Sequence, residues 1–210
     1  MWGAGLGKGQ AFDVGKASQT LVAELSRSAY APRPGLSALV PGAGRAYDAL
    51  ALAQHGFESV TALDLAPTAC EAAREELKAS TGDKIAERCS VQCADFFEFT
   101  GGPYDLIWDC TFLCALDPSV RVRWAQKTAS LLKPGGTLLT CVFPICDKVG
   151  GPPYAMSVDL FRSLLEPVGL EAVRVREDLS ADEQHRPGGF QGSGGPSTAL
   201  AVWAKPHQRK

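Results

Sequence analysis

The chain is predicted to be a doubly wound α/β protein: a mostly parallel seven-stranded sheet, helices on both faces, and an antiparallel edge hairpin at the C-terminus. Two observations predict it. Short β-branched, apolar runs alternate with longer stretches whose apolar residues recur at helical spacing. Runs such as "DLIW" and "TLLTCVF" also lack the strict alternation of a sheet with one wet face, so helices are expected on both sides.

The elements follow in order. A short apolar run at 36–40, after the Pro-rich "APRPG", reads as a buried strand, and 46–55 as a helix. "SVTALDL" is the second strand, ending at Asp64, and "APTACEAAREELKAS" a helix with Pro67 near its start. "CSVQCAD" and "YDLIWDC" are strands three and four. The helical "SVRVRWAQKTASLL" is stopped by "KPGG" before the strand "TLLTCVF". A last helix, "SVDLFRSLLEPVG", precedes "LEAVRVRE" and "TALAVWA", two strands parted by the polar, Gly-rich "HRPGGFQGSGG".

At 210 residues, 45% hydrophobic, the chain can fill one substantial core, so a single domain spanning 1–210 is expected. A net charge of -2 and the absence of a basic, aromatic-interleaved run exclude a nucleic-acid footprint and point to a small-molecule partner. No window holds the roughly 18 consecutive apolar residues of a membrane helix. Seven cysteines, an odd number, with no basic-then-apolar leader, fit reduced thiols in the cytoplasm; a monomer is expected. The pairs Cys89/Cys93 and Cys110/Cys114 lack zinc-knuckle spacing, so structural cysteines and no metal are expected.

In a doubly wound sheet, ligands sit beyond the carboxyl ends of the strands. Those ends carry Gly42 and Gly44, Asp64 followed by Leu65, Asp95 followed by Phe96, and Asp109 followed by Cys110. Glycines let main-chain N–H groups approach a ligand closely. A carboxylate about 20 residues past such a turn is placed for ribose hydroxyls, although Asp64 is also a good helix cap. The third glycine of a dinucleotide fingerprint is replaced by Tyr47, which argues against a nicotinamide oxidoreductase and suits a nucleoside without a pyrophosphate, such as S-adenosylmethionine.

Three segments, "LVPGAGRAYDALALAQHGFESVTALDLA", "YDLIWDCTFLCALDPSVRVRWAQKTASLLKPGG" and "FPICDKVGGPPYAM", closely resemble the halide and thiol methyltransferases of the thiopurine methyltransferase superfamily. The resemblance implies a Rossmann-like methyltransferase using S-adenosyl-L-methionine and yielding S-adenosyl-L-homocysteine. It implies that Gly42 and Gly44 approach the methionine end, that Asp64 holds the ribose, that Leu65 also belongs to the cofactor site, and that Asp95 and Phe96 frame the adenine. Asp109 and Cys110 would line the methionine side, and segment 1–30 would close over the cofactor with Phe12 as its aromatic lid. Relatives carry tryptophan where Phe12 stands, and Trp2 is out of register with a second one; many plant relatives have tyrosine at the positions of Cys110 and Phe143.

Methyl transfer from a sulfonium to an anion cancels charge in the transition state, so a dry pocket favours it. Phe12, Phe112, Phe143 and Tyr154 are expected to wall that pocket, with no obligatory base for halide, thiocyanate or hydrosulfide. A neutral thiol would lose its proton to Asp13, Asp109 or bulk water. His55 reads as helical, and His185 and His207 as residues of polar C-terminal stretches, none of them a general base. A bulkier aromatic or metabolite thiol is the alternative substrate class, and a cofactor-binding protein without turnover a further rival.

Overall fold

The computed structural model describes residues 6–27, 31, 33–80, 84–187 and 197–207. Strands β1 (Ser37–Pro41), β2 (Ser59–Asp64), β3 (Cys89–Cys93), β4 (Tyr104–Cys110), β5 (Leu132–Ile145), β6 (Glu171–Arg176) and β7 (Ser197–Ala204) form one sheet. Their order is β3-β2-β1-β4-β5-β7-β6. The helices are α1 (Gln19–Leu25), α2 (Tyr47–His55), α3 (Pro67–Ala79), α4 (Arg121–Leu131) and α5 (Val158–Leu165). Among the described residues no helix is long and apolar enough to cross a membrane.

Two compact units divide the chain, the first Met1–Phe99 with Arg186–Ser193, the second Thr100–His185 with Gly194–Lys210. In the first, β2 lies parallel to both β1 and β3. Four consecutive residues of β2, Val60 to Leu63, are buried, as a strand covered on both faces requires. Ala49, Leu52 and Ala53 are the buried side of α2, which packs on β1 and β2. Ala69, Cys70, Ala72, Ala73 and Leu77 are that of α3, on β2 and β3. Their spacing of three to four is one stripe of a helix. Helix α1 falls within the segment read from sequence only as a lid.

In the second unit, β4 and β5 are parallel, and β7 runs antiparallel to β5 and β6. The expected C-terminal pair is present, but β7 is the inner strand and β6 the edge. Burial explains this: six successive residues of β7 are buried, whereas β6 shows none. Trp108, Trp124 and Trp203 anchor this core, with Trp124 edge-on to Phe161 of α5 at 5.8 Å.

"KPGG" ends α4 as expected, yet β5 already starts at Leu132. Pairing explains the difference. Tyr104 faces Leu132 and Leu106 faces Thr137, so the four residues 133–136 loop out opposite Asp105. Gly135 N–H then donates to Lys205 O and Lys205 N–H to Gly136 O, at 2.8 and 2.9 Å. Lys205 Nζ reaches Ala129 O and Leu132 O at 2.7 and 2.8 Å, satisfying carbonyls at the end of α4. Beyond Leu165 the expected helix tightens into a 3-10 turn, Glu166–Val168, because Pro167 has no N–H to continue it.

One hydrogen bond reports on the second core directly. Trp203 Nε1–H donates to Thr140 Oγ1 at 3.0 Å, both residues fully buried. Thr140→Val keeps the shape and strands the indole N–H. It is expected to lower unfolding free energy by about 1–3 kcal/mol in urea titrations; an unchanged midpoint would show that this bond does not hold the core.

Candidate functional site

The turn after β1 places Gly42 and Gly44 at φ 62° and 52°, the left-handed region where a Cβ is strained. Ala43 N–H donates to Leu63 O, and Gly44 N–H to Asp64 Oδ2, both at 3.0 Å. Asp64 Oδ1 accepts from Ala66 N–H at 3.0 Å, the residue that caps α3. Asp64 thus braces the turn into α3, but the cap weighed from sequence is not formed: the N-cap position is Ala66, with no side-chain cap bond. A carboxylate offers about four acceptor positions, so a half-buried one with two donors has room for two hydroxyls. Bracing that turn and binding a ligand are compatible here.

Ala94 N–H donates to Asp64 O at 3.0 Å, which draws the end of β3 to the end of β2. The next residue, Asp95, is exposed, and its Oδ1 accepts from Phe97 N–H at 2.8 Å. Phe96 is only 4% exposed and meets Phe97 edge-on at 5.5 Å, so its ring belongs to the core. The open apolar side chain at this strand end is Leu65, 68% exposed.

Asp13 is buried with donors on both oxygens. Oδ1 accepts from Gly15 N–H at 2.6 Å and Gly9 N–H at 3.2 Å, and Oδ2 from Arg45 Nε at 3.0 Å. Arg45 Nη2 also reaches Leu6 O at 2.9 Å. The segment carrying the half-buried Phe12 is thereby tied to the loop before α2. Trp2 and the rest of 1–5, with 28–30, lie outside the described residues. Tyr47, in place of a third glycine, has Lys8 Nζ 5.3 Å from its ring centroid.

At the end of β4, Asp109 is buried. Oδ2 accepts from Trp124 Nε1–H at 3.0 Å and Oδ1 from Leu113 N–H at 3.2 Å. Burial pushes its pKa up to about 6, against these donors, which favour the charged form. They fix the 3-10 turn Leu113–Ala115 that follows the half-buried Phe112. Tyr154 N–H donates to Cys114 O at 2.7 Å, and Arg121 stands 5.5 Å from the Tyr154 ring centroid.

Cys110 lies opposite Cys141 in the parallel register of β4 and β5. The hydrogen bond between these thiols, with burial, holds Cys110 protonated well above the usual thiol range. His185 is a correction to the sequence reading: it is 5% exposed, not part of a solvated stretch. Its N–H donates to Thr198 Oγ1 at 3.2 Å, and its Nδ1 is 3.7 Å from Cys110 Sγ. Its ring meets that of Phe143 edge-on at 4.9 Å. The glycine-rich stretch after it, 188–196, lies outside the described residues.

Residues 2–193 match the family described as thiopurine S-methyltransferase. The chain belongs to the thiopurine S-methyltransferase family. It is similar to a probable thiol methyltransferase 2 of Arabidopsis thaliana, 44% identical over 68% of this chain and 62% of that protein, so it spans less than two thirds of that relative. It is also similar to a thiocyanate methyltransferase 1 of Arabidopsis thaliana, 38% identical over 81% and 72%. Among solved structures, the glycopeptide N-methyltransferase MtfA complexed with S-adenosylmethionine superposes with a TM-score of 0.68 at 16% identity, covering 96% of this chain and all of that one. The shared fold is Rossmann-like.

Within this family member, sequence reasoning singled out Cys110 and Phe143 but missed Cys141 and His185. A cysteine in the strand "TLLTCVF" carries no local signal, and His185 meets Cys110 across 75 residues. Asp109 supplies the test of how strand ends are held. Asp109→Ala leaves Trp124 and Leu113 donors buried and is expected to cost about 2–4 kcal/mol of stability, against about 0.5 for the exposed Asp95→Ala. Equal losses in chemical denaturation would refute that assignment.

Proposed function

We propose that this protein is an S-adenosylmethionine-dependent methyltransferase acting on a small soft nucleophile: thiocyanate, hydrosulfide, a small thiol or a halide. The observation that carries the reading is the Asp64 carboxylate, anchored by Gly44 and Ala66 N–H groups with acceptor capacity to spare. That is the chemistry a ribose diol requires. The relatives named for thiol and thiocyanate methylation support the choice of nucleophile.

When bound, S-adenosylmethionine supplies a sulfonium methyl group for in-line displacement. On this reading Asp64 holds the ribose, Leu65 offers its exposed side chain to the adenine, and Asp95 presents a carboxylate at the same rim. Gly42 and Gly44, which carry no Cβ, let the amino-acid end lie close to the backbone of their turn, and Phe12 covers the nucleoside. Asp109 acts as a positioning residue, orienting Phe112 through the turn it holds, beside Cys110 on the methionine side. Phe112, Phe143 and Tyr154 give the nucleophile an apolar surround, where loss of hydration raises an anion's reactivity. The protein works as a monomer in the reducing cytoplasm.

Calorimetry with S-adenosylmethionine and an assay of S-adenosylhomocysteine release test the reading. Asp64→Ala is expected to weaken cofactor binding by about 1.5–3 kcal/mol, with Asp64→Asn between it and the parent protein. Methyl thiocyanate, methanethiol or methyl iodide is expected from the matching anion. Cofactor binding without turnover of any of the three anions or of a small thiol would overturn the enzyme reading.

A further inference from the structure

Two thiols and an imidazole meet in the second unit, and of the three the function above uses only Cys110. Cys110 and Cys141 are register partners on adjacent parallel strands, so their side chains leave the same face of the sheet at strand spacing. The loop after β6 brings His185 to them. It is clamped by Arg176, whose guanidinium forks onto Glu183 at 2.8 and 3.0 Å, and by the bond from His185 N–H to Thr198 Oγ1. The edge-on Phe143 ring limits rotation of the imidazole. All three residues are buried, and one ligand atom from each lies within 4.8 Å of the other two.

We propose that Cys110, Cys141 and His185 form a binding site for one zinc ion. The distances fit. With Zn–S about 2.3 Å and Zn–N about 2.0–2.1 Å, the sulfur and nitrogen corners of a tetrahedron lie about 3.6 Å apart. Cys110 Sγ and His185 Nδ1 are 3.7 Å apart before any ion enters. The donor set selects a soft or borderline ion, because thiolates and imidazole suit Zn2+ or Cu+, whereas Mg2+ and Ca2+ take oxygen. Three protein ligands leave a fourth tetrahedral position for an outside ligand, the arrangement of open rather than closed zinc sites. Binding involves no redox step: both cysteine S–H groups release their protons to solvent, the imidazole stays neutral, and two S–Zn bonds and one N–Zn bond form. The proposal stands whether or not the chain transfers methyl groups.

Cobalt reports the site without an activity assay. The full chain, with exposed Cys93 and Cys146 changed to serine and all thiols kept reduced, is titrated with Co2+. One Co2+ per chain is expected, with thiolate charge-transfer absorption in the near ultraviolet and the visible bands of a tetrahedral ion, and one equivalent of Zn2+ should displace it. His185→Gln and Cys141→Ala are expected to weaken binding beyond the roughly 10- to 100-fold that loss of an outer-shell partner costs. X-ray absorption of the zinc-loaded parent protein needs no variant to fold: two sulfur neighbours and at least one nitrogen are expected. No bound metal, a first shell of light atoms only, displacement of Co2+ by Cu+ but not by Zn2+, or equal affinity in folded variants overturns the assignment.

Discussion

Turns leave main-chain N–H groups without partners, and at several of its turns this chain answers them with aspartate. Among the described residues, carboxylates accept from the N–H two residues on: Asp13 from Gly15, Asp64 from Ala66, Asp95 from Phe97 and Asp117 from Ser119, at 2.6 to 3.0 Å. Asp109 does the same over four residues, to Leu113. Each bond fixes where the chain goes next. Without the bond at Asp64, the glycine turn and the start of α3 would lose their common anchor.

What separates these carboxylates is the water around them. Asp109 is sealed between Trp124 and the turn it holds, so its pKa climbs toward 6 and its oxygens serve the fold. Asp13 is saturated by two glycine N–H groups and Arg45. Asp64 is half-buried, with one protein donor on each oxygen, and so retains capacity for a ligand. The same side chain is thus saturated by the fold or left with spare acceptor capacity according to burial. Burial depends on what packs over it.

The second unit shows a related economy of space. β7 lies between β5 and β6, and just after β6 the Arg176–Glu183 fork closes the segment 176–183 on itself. His185 thereby lands against Phe143 and Cys110, where a histidine on an open loop would face water. An apolar surround, two thiols and an imidazole in one place suit chemistry with soft atoms, sulfur nucleophiles and soft metals alike.

The strands, helices α2 to α5, and the glycine and carboxylate positions at strand ends were legible in the sequence because they rest on local periodicity and on neighbours within a few residues; α1 was not. Family-specific stretches such as "GGPPY" carried the resemblance in the same local way. Which strand lies at the edge, that "KPGG" interrupts a ladder already begun, that Phe96 turns inward while Leu65 stays open, and that His185 joins Cys110 and Cys141 were decided only in three dimensions. Such contacts link residues dozens of positions apart, and their partners are chosen by burial and register, quantities that no short window of sequence contains.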